Sequence, residues 1–181
     1  MEETIVVAGF GGQGIILMGK LLAHAGLLEG RNVTCLPSYG PEMRGGTANC
    51  TVILSDRRIG SPYVAEPSCT IAMNRPSLDR FESVTKRGGC IVVNSSMVDR
   101  EVERTDVTIA SVKASEIAEK LSDVRAANMV ALGAFIKARP LVRVNSLVDC
   151  MKRVMSTQRE EVRTRNERAI LSGFQSVRVG K

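Results

Sequence analysis

The sequence predicts an α/β fold: a Rossmann-like, mostly parallel sheet flanked by helices, with an inserted β-hairpin. Three observations predict it. Short, continuous apolar runs recur along the chain, as strands buried on both faces of a parallel sheet require. Segments with helical apolar spacing alternate with them. Between the first strand and first helix lies a glycine-rich turn, Gly9-Phe10-Gly11-Gly12-Gln13-Gly14.

The first strand is predicted over residues 5–8, where Ile5, Val6, Val7 and Ala8 are contiguous. Ile16, Leu17, Leu21, Leu22, Ala25 and Leu28 then repeat at helical spacing, and Gly30 is placed to end that helix. A second strand over 32–36 is expected to stop at Pro37, completing a βαβ unit. Residues 38–47, with three glycines and a proline, cannot continue an element. A strand over 49–54 and a turn at 55–58 before Ile59 predict the inserted hairpin. Alternation resumes with strands over 70–73, 90–93 and 107–110, and helices over 76–84, 116–121, 127–138, 147–155 and 160–171. A single domain over 1–175 is expected, and a tail over 176–181 that frays or docks on a neighbour.

The chain has 181 residues, enough to build a core without staples. With four Phe, two Tyr and no Trp, that core must be aliphatic, and stacking platforms for single-stranded nucleic acid are not expected. The five cysteines, Cys35, Cys50, Cys69, Cys90 and Cys150, never stand within four residues of one another, so no zinc knuckle or iron–sulfur run can be read. Such a scattered set suits a reducing cytoplasm. An acidic start entering a strand within five positions has no signal-peptide character. No apolar run approaches the roughly 20 residues that span a bilayer, so no membrane insertion is expected. The net charge of +6 is concentrated late, where Arg159, Arg163, Arg165 and Arg168 recur. A solvated helix face is favoured over docking to an acidic partner or nucleic acid.

The glycine turn is the first candidate site. Gly9 permits the tight turn, Gly11 and Gly12 let backbone approach a phosphate, and Gly14 allows the helix to pack on the strand. The helix N-terminus offers free N–H groups and partial positive charge, and Gln13 adds an amide. A ligand-free tight turn is the bland alternative. A nicotinamide or flavin dinucleotide would call for Asp or Glu about 20 residues on, at the end of the second strand. That end reads Leu36-Pro37-Ser38, while Glu29 and Arg31 lie at the opposite end. The second candidate is the loop Ser38-Tyr39-Gly40-Pro41-Glu42-Met43-Arg44-Gly45-Gly46, leaving the carboxyl end of a strand. There Arg44 would fork onto an anion, Glu42 would orient it or accept from the ligand, Tyr39 offers an amphipathic ring, and Gly45 and Gly46 allow close approach. Asn74, Asn94, Ser95 and Lys113 fall near later strand ends and are secondary candidates, each equally suited to capping a helix. His24 is the sole histidine, so neither a multi-histidine metal site nor a Ser-His-Asp arrangement can be assembled. No catalytic and no metal-ligating residue is assigned.

Taken together, the two glycine segments and Asn128-Met129-Val130-Ala131-Leu132-Gly133 resemble the gamma subunit of the 2-oxoacid:ferredoxin oxidoreductases, the pyruvate/ketoisovalerate oxidoreductase gamma-domain family. The similarity covers about residues 1–175, and the short single-domain form is most similar to the 2-oxoglutarate type. The resemblance implies an enzyme of several chains that converts a 2-oxoacid such as 2-oxoglutarate or pyruvate to acyl-CoA and passes electrons to ferredoxin. Thiamine diphosphate, Mg²⁺ and the iron–sulfur cluster would lie on alpha, beta and possibly delta partners. This chain would contribute assembly and part of the coenzyme A site, with Asn128 a further candidate there. Alone it would bind no cofactor firmly, lack activity and tend to self-associate. The alternatives are a free-standing Rossmann-like nucleotide-binding module or NAD(P)-dependent dehydrogenase and, less in keeping with the composition, a nucleic-acid surface on the late helices.

Overall fold

A computed structural model describes residues 1–41 and 45–180. Its order is β1 (Glu2–Phe10), α1 (Ile15–Leu28), β2 (Asn32–Tyr39), β3 (Thr47–Ser55), β4 (Cys69–Ala72), α2 (Arg75–Phe81), β5 (Cys90–Asn94), β6 (Thr108–Val112), α3 (Ala114–Lys120), α4 (Ala127–Ala138), α5 (Val144–Val154), α6 (Glu160–Ser176) and β7 (Arg178–Gly180). One sheet of seven strands runs β2-β3-β1-β4-β5-β6-β7. β1, β4, β5 and β6 pair in parallel. β3 lies antiparallel between β1 and β2, so β2 points the same way as the parallel core. The sheet is mostly parallel in direction, with β3 and β7 reversed.

Three expectations change. The hairpin is real, but its strands are β2 and β3, joined through the glycine loop. Residues 56–60 form no strand, and the turn there leads onward to β4. Pro37 does not end β2. It sits in register with Cys50 on the outermost strand, where a missing N–H is tolerated because one side of the strand has no neighbour. At the other edge, residues 178–180 do not fray; they extend the sheet beside β6.

Alternation across the strands builds two cores. Ile5, Val7, Cys50, Val52, Leu54, Ile71 and Val92 face α1, α4, α5 and α6. Ala72, Ile91 and Val93 face the opposite side, where Leu78 of α2 and Val98 and Val107 of the following segments cover them. α4 is buried along nearly its whole length, from Asn128 to Ile136. It meets α6 backbone to backbone: a Cβ on Gly133 would lie 1.9 Å from the Ile170 carbonyl oxygen, and one on Gly173 equally near that of Val130. α1 closes as predicted, with the Gly30 N–H donating to Leu27 O and the Arg31 N–H to Gly26 O. Among the described residues, no helix is long and apolar enough to cross a membrane.

Candidate functional site

The glycine turn sits at the carboxyl end of β1. To one side of β1 the sheet continues into the hairpin β3-β2, and to the other into β4-β5-β6, so the chain's path diverges there. This is where open α/β sheets present ligands. Gly9 still belongs to β1, opposite Ala48. A Cβ there would meet the Gln13 Oε1 at 2.4 Å and Ile15 Cδ1 at 2.6 Å, so both side chains would have to move aside. Gln13 folds back over it and accepts from the Phe10 N–H at 3.0 Å. Left-handed backbone falls at Gly12 (φ 105°) and Gly14 (φ 72°), the latter serving as N-cap of α1.

The donors of the turn divide into two sets. The Gly11 N–H donates to Gly46 O at 2.8 Å, and the Gln13 N–H to Phe10 O at 3.1 Å. They shape the turn and seat the hairpin loop on it. The Gly12 and Gly14 N–H groups meet no acceptor among the described residues, and the first N–H groups of α1 have none within a helix by construction. A ligand anion would therefore be met by Gly12, Gly14 and the start of α1, while Gly11 and Gln13 hold the frame.

A crevice of about 300 Å³ opens beside this turn, lined by residues 10–13, Met73, Asn94, Met97, Ser115, Val124, Arg125, Ala127 and Asn128. A smaller cavity of about 120 Å³ lies on its other flank, with Gly9, Gly45, Asn74 and Arg80 in its wall. The structure thus brings the glycine turn, Gly45, Gly46, Asn74, Asn94 and Asn128 to one end of the sheet. Asn128 joins the first and third sequence motifs, since its Nδ2 approaches Gly14 O at 3.4 Å.

Other candidates stand apart. Ser38 and Tyr39 are exposed on β2 and separated from the turn by β3; neither lines the crevice. Glu42 and Arg44 lie outside the described residues. Ser95 lines two other hollows. Asn74 and Asn94 serve as anchors. The Asn74 Oδ1 accepts from the Ser77 N–H at 3.0 Å to cap α2. Asn94 ties β5 to α3, its Oδ1 accepting from the Ala114 N–H at 3.0 Å and its Nδ2 donating to Ser115 Oγ at 3.1 Å. Lys113 pairs with Glu116 at 3.2 Å on the surface, and His24 is exposed on α1.

Sequence reasoning missed Arg125. Its side chain is 87% exposed and, among the described residues, bonded only to Asp123, at 3.4 Å from the Nε. It brings a cation to the crevice wall. Residues 122–126 carry no periodic pattern, so only the fold shows that the short turn before α4 returns to the glycine loop. Among the described residues, no carboxylate lines the crevice, and no three His, Cys, Asp or Glu side chains gather as a metal would need.

Residues 4–176 match the family model described as pyruvate ferredoxin/flavodoxin oxidoreductase. The ketoisovalerate oxidoreductase subunit VorA of Methanothermobacter thermautotrophicus is 44% identical over 135 residues, 75% of this chain. The matched region spans only 28% of VorA's length. Among solved structures, the keto/oxoacid ferredoxin oxidoreductase gamma subunit of Geobacter sulfurreducens superposes with a TM-score of 0.80 at 27% identity, covering 96% of both chains. The 2-oxoglutarate:ferredoxin oxidoreductase of Magnetococcus marinus, solved with 2-oxoglutarate, coenzyme A and succinyl-CoA, gives 0.86 at 26% identity, over 96% of this chain and 30% of that one. A family match over residues 4–176, on a fold whose glycine turn and Asn128 meet at one crevice, places the chain in the pyruvate ferredoxin/flavodoxin oxidoreductase family.

Proposed function

We propose that this chain is the gamma-type subunit of a 2-oxoacid:ferredoxin oxidoreductase, and that its crevice holds a phosphate of coenzyme A. The observation that carries the proposal is the glycine turn. Its Gly12 and Gly14 N–H groups, which meet no acceptor among the described residues, stand at the mouth of α1, and Gly12, Arg125 and Asn128 line the crevice beside it. Preorganised backbone donors and one cation suit a phosphate ester. Support for coenzyme A comes from the relative solved with that molecule bound. Gly12 and Gly14 would donate to the phosphate, Arg125 would neutralise it and Asn128 would fix the turn. Coenzyme A supplies the thiol that accepts the acyl group.

The decarboxylating and electron-carrying groups, thiamine diphosphate with Mg²⁺ and iron–sulfur centres, are assigned to alpha, beta and possibly delta chains in the cytoplasm, with ferredoxin as acceptor. The test is reconstitution. Acyl-CoA formation should require this chain together with its co-purifying partners and vanish when either is left out. Turnover by this chain alone, or saturable NAD(P)H binding to it, would replace the proposal with a free-standing nucleotide-dependent enzyme.

A further inference from the structure

Two cysteines away from the crevice are arranged as a reactive pair. Cys35 on β2 and Cys50 on β3 stand diagonally across the hairpin, since Cys50 is in register with Pro37, two residues beyond Cys35. Their sulfurs are 3.4 Å apart. The environments differ sharply. Cys35 is half-buried on the outermost strand, whereas Cys50 is fully buried beneath α1. A Cβ on Gly19 would come within 2.3 Å of the Cys50 sulfur, so that sulfur rests on the helix backbone. Lys20, the next residue of α1, is exposed and adds a positive field at the pair.

We propose that Cys35 and Cys50 form a reversible thiol-modification site for peroxide-class oxidants, with Cys35 the attacking sulfur and Cys50 the resolving one. The chemistry balances. The Cys35 thiolate attacks a peroxide oxygen, the O–O bond breaks, and the leaving hydroxide takes a proton to become water. The sulfur of Cys50 then attacks the resulting sulfenic acid. An S–S bond forms, the S–O bond breaks, and a second water departs carrying the Cys50 proton. Two thiols are oxidised by two electrons, and one peroxide is reduced to two waters.

Exposure and protonation favour this division of roles. The Cys50 thiol donates to Cys35 and, with the Lys20 charge, outweighs burial to bring the Cys35 thiol down to about 7. Holding that proton for Cys35, and being buried, push Cys50 far above the ordinary thiol range. The remaining cysteines are natural controls. Burial pushes Cys69 to about 12, Cys90 to about 11 and Cys150 to about 12, so none is a ready nucleophile. Cys69 and Cys90 are register partners on β4 and β5, yet both are closed off from solvent. To form the bond, the paired sulfurs must close from 3.4 Å to about 2.05 Å, and the outer strand has no neighbour on its far side.

The experiment treats the full-length chain with one equivalent of hydrogen peroxide, counts free thiols and maps the product by peptide mass spectrometry. The expected result is loss of two of the five thiols. The product should be a monomer lighter by two hydrogens, with a peptide joining Cys35 to Cys50, and dithiothreitol should restore all the thiols. Cys50→Ala should accumulate a sulfenic acid on Cys35 that dimedone traps, and Cys35→Ser should keep its thiols at the same dose. The proposal is overturned if all five thiols survive in the wild type, if the loss is shared among Cys69, Cys90 and Cys150, or if the only disulfide joins two chains. Because the first measurement needs no variant, a misfolded Cys50→Ala cannot obscure the outcome.

Discussion

Gly14 shows how a single position serves fold and site together. Its φ of 72° lies where a side chain is strained, and a Cβ there would meet the Asn128 Nδ2 at 2.1 Å. Gly14→Ala should cost about 1–3 kcal/mol, combining left-handed strain with the clash. Asn128→Ala in the same chain should return part of that loss, because the clash disappears and only the strain remains. Urea midpoints of the two single variants and the double variant form the cycle; strictly additive effects would disprove the contact. Arg125 makes the complementary test. It is highly exposed and supports little structure, so Arg125→Ala should leave the thermal midpoint unchanged. In the assembled complex it should raise the KM for coenzyme A by about 10- to 100-fold, the loss expected for a charge-assisted bond. An unchanged KM would remove Arg125 from the site.

At the scale of elements, two junctions carry the helical layer. Glu29, which ends α1, accepts from the Arg143 N–H at 2.7 Å where α5 begins. Burial raises its carboxyl pKa, but that N–H, the Ser146 side chain and the Arg143 guanidinium together hold it below the ordinary 4.5. Arg143 is 78% exposed, so its ion pair with Glu29 adds little and the backbone bond dominates. A depressed carboxyl contributes stability that is complete above about 4.5 and is lost as pH falls through the folded value. Glu29→Gln should therefore lower stability by about 1 kcal/mol at pH 7, and its urea midpoint should converge with the wild type's as pH drops toward 3. Parallel curves across that interval would exclude the role. The second junction is the contact of α4 with α6. Gly173→Ala drives a methyl against the Val130 carbonyl and must part the helices. A loss of about 1–3 kcal/mol in chemical denaturation is expected, the usual range of overpacking. A loss below about 0.5 kcal/mol would mean that the helices separate freely.

For the molecule as a whole, the exposed apolar surface is the property to test. The described residues hold a crevice beside the glycine turn and exposed apolar side chains at Tyr39, Tyr63, Met97 and Val124. Met97 and Val124 border the crevice itself. Apolar groups at a site's rim suit burial by a partner chain. Sedimentation of the isolated protein should show association that grows with concentration and is suppressed when partner chains are added. A monomer at every concentration would argue that no partner covers this surface.

The strand–turn–helix start, the alternation that follows and Ala127–Ala138 were legible because apolar period and glycine position are local properties of the chain. The family resemblance lay in two short glycine segments for the same reason. Which strand neighbours which was not local. Pro37 reads as a stop, and only its place on the outermost strand makes it tolerable. Likewise, residues 178–180 read as a tail until β6 offers its free edge. Asn74 and Asn94 read equally as ligands or caps, and only the fold shows their hydrogen bonds to the starts of α2 and α3. Arg125 at the crevice and Cys35 beside Cys50 are products of folding alone, since residues distant in sequence meet only when the sheet and its covering helices bury their shared apolar faces.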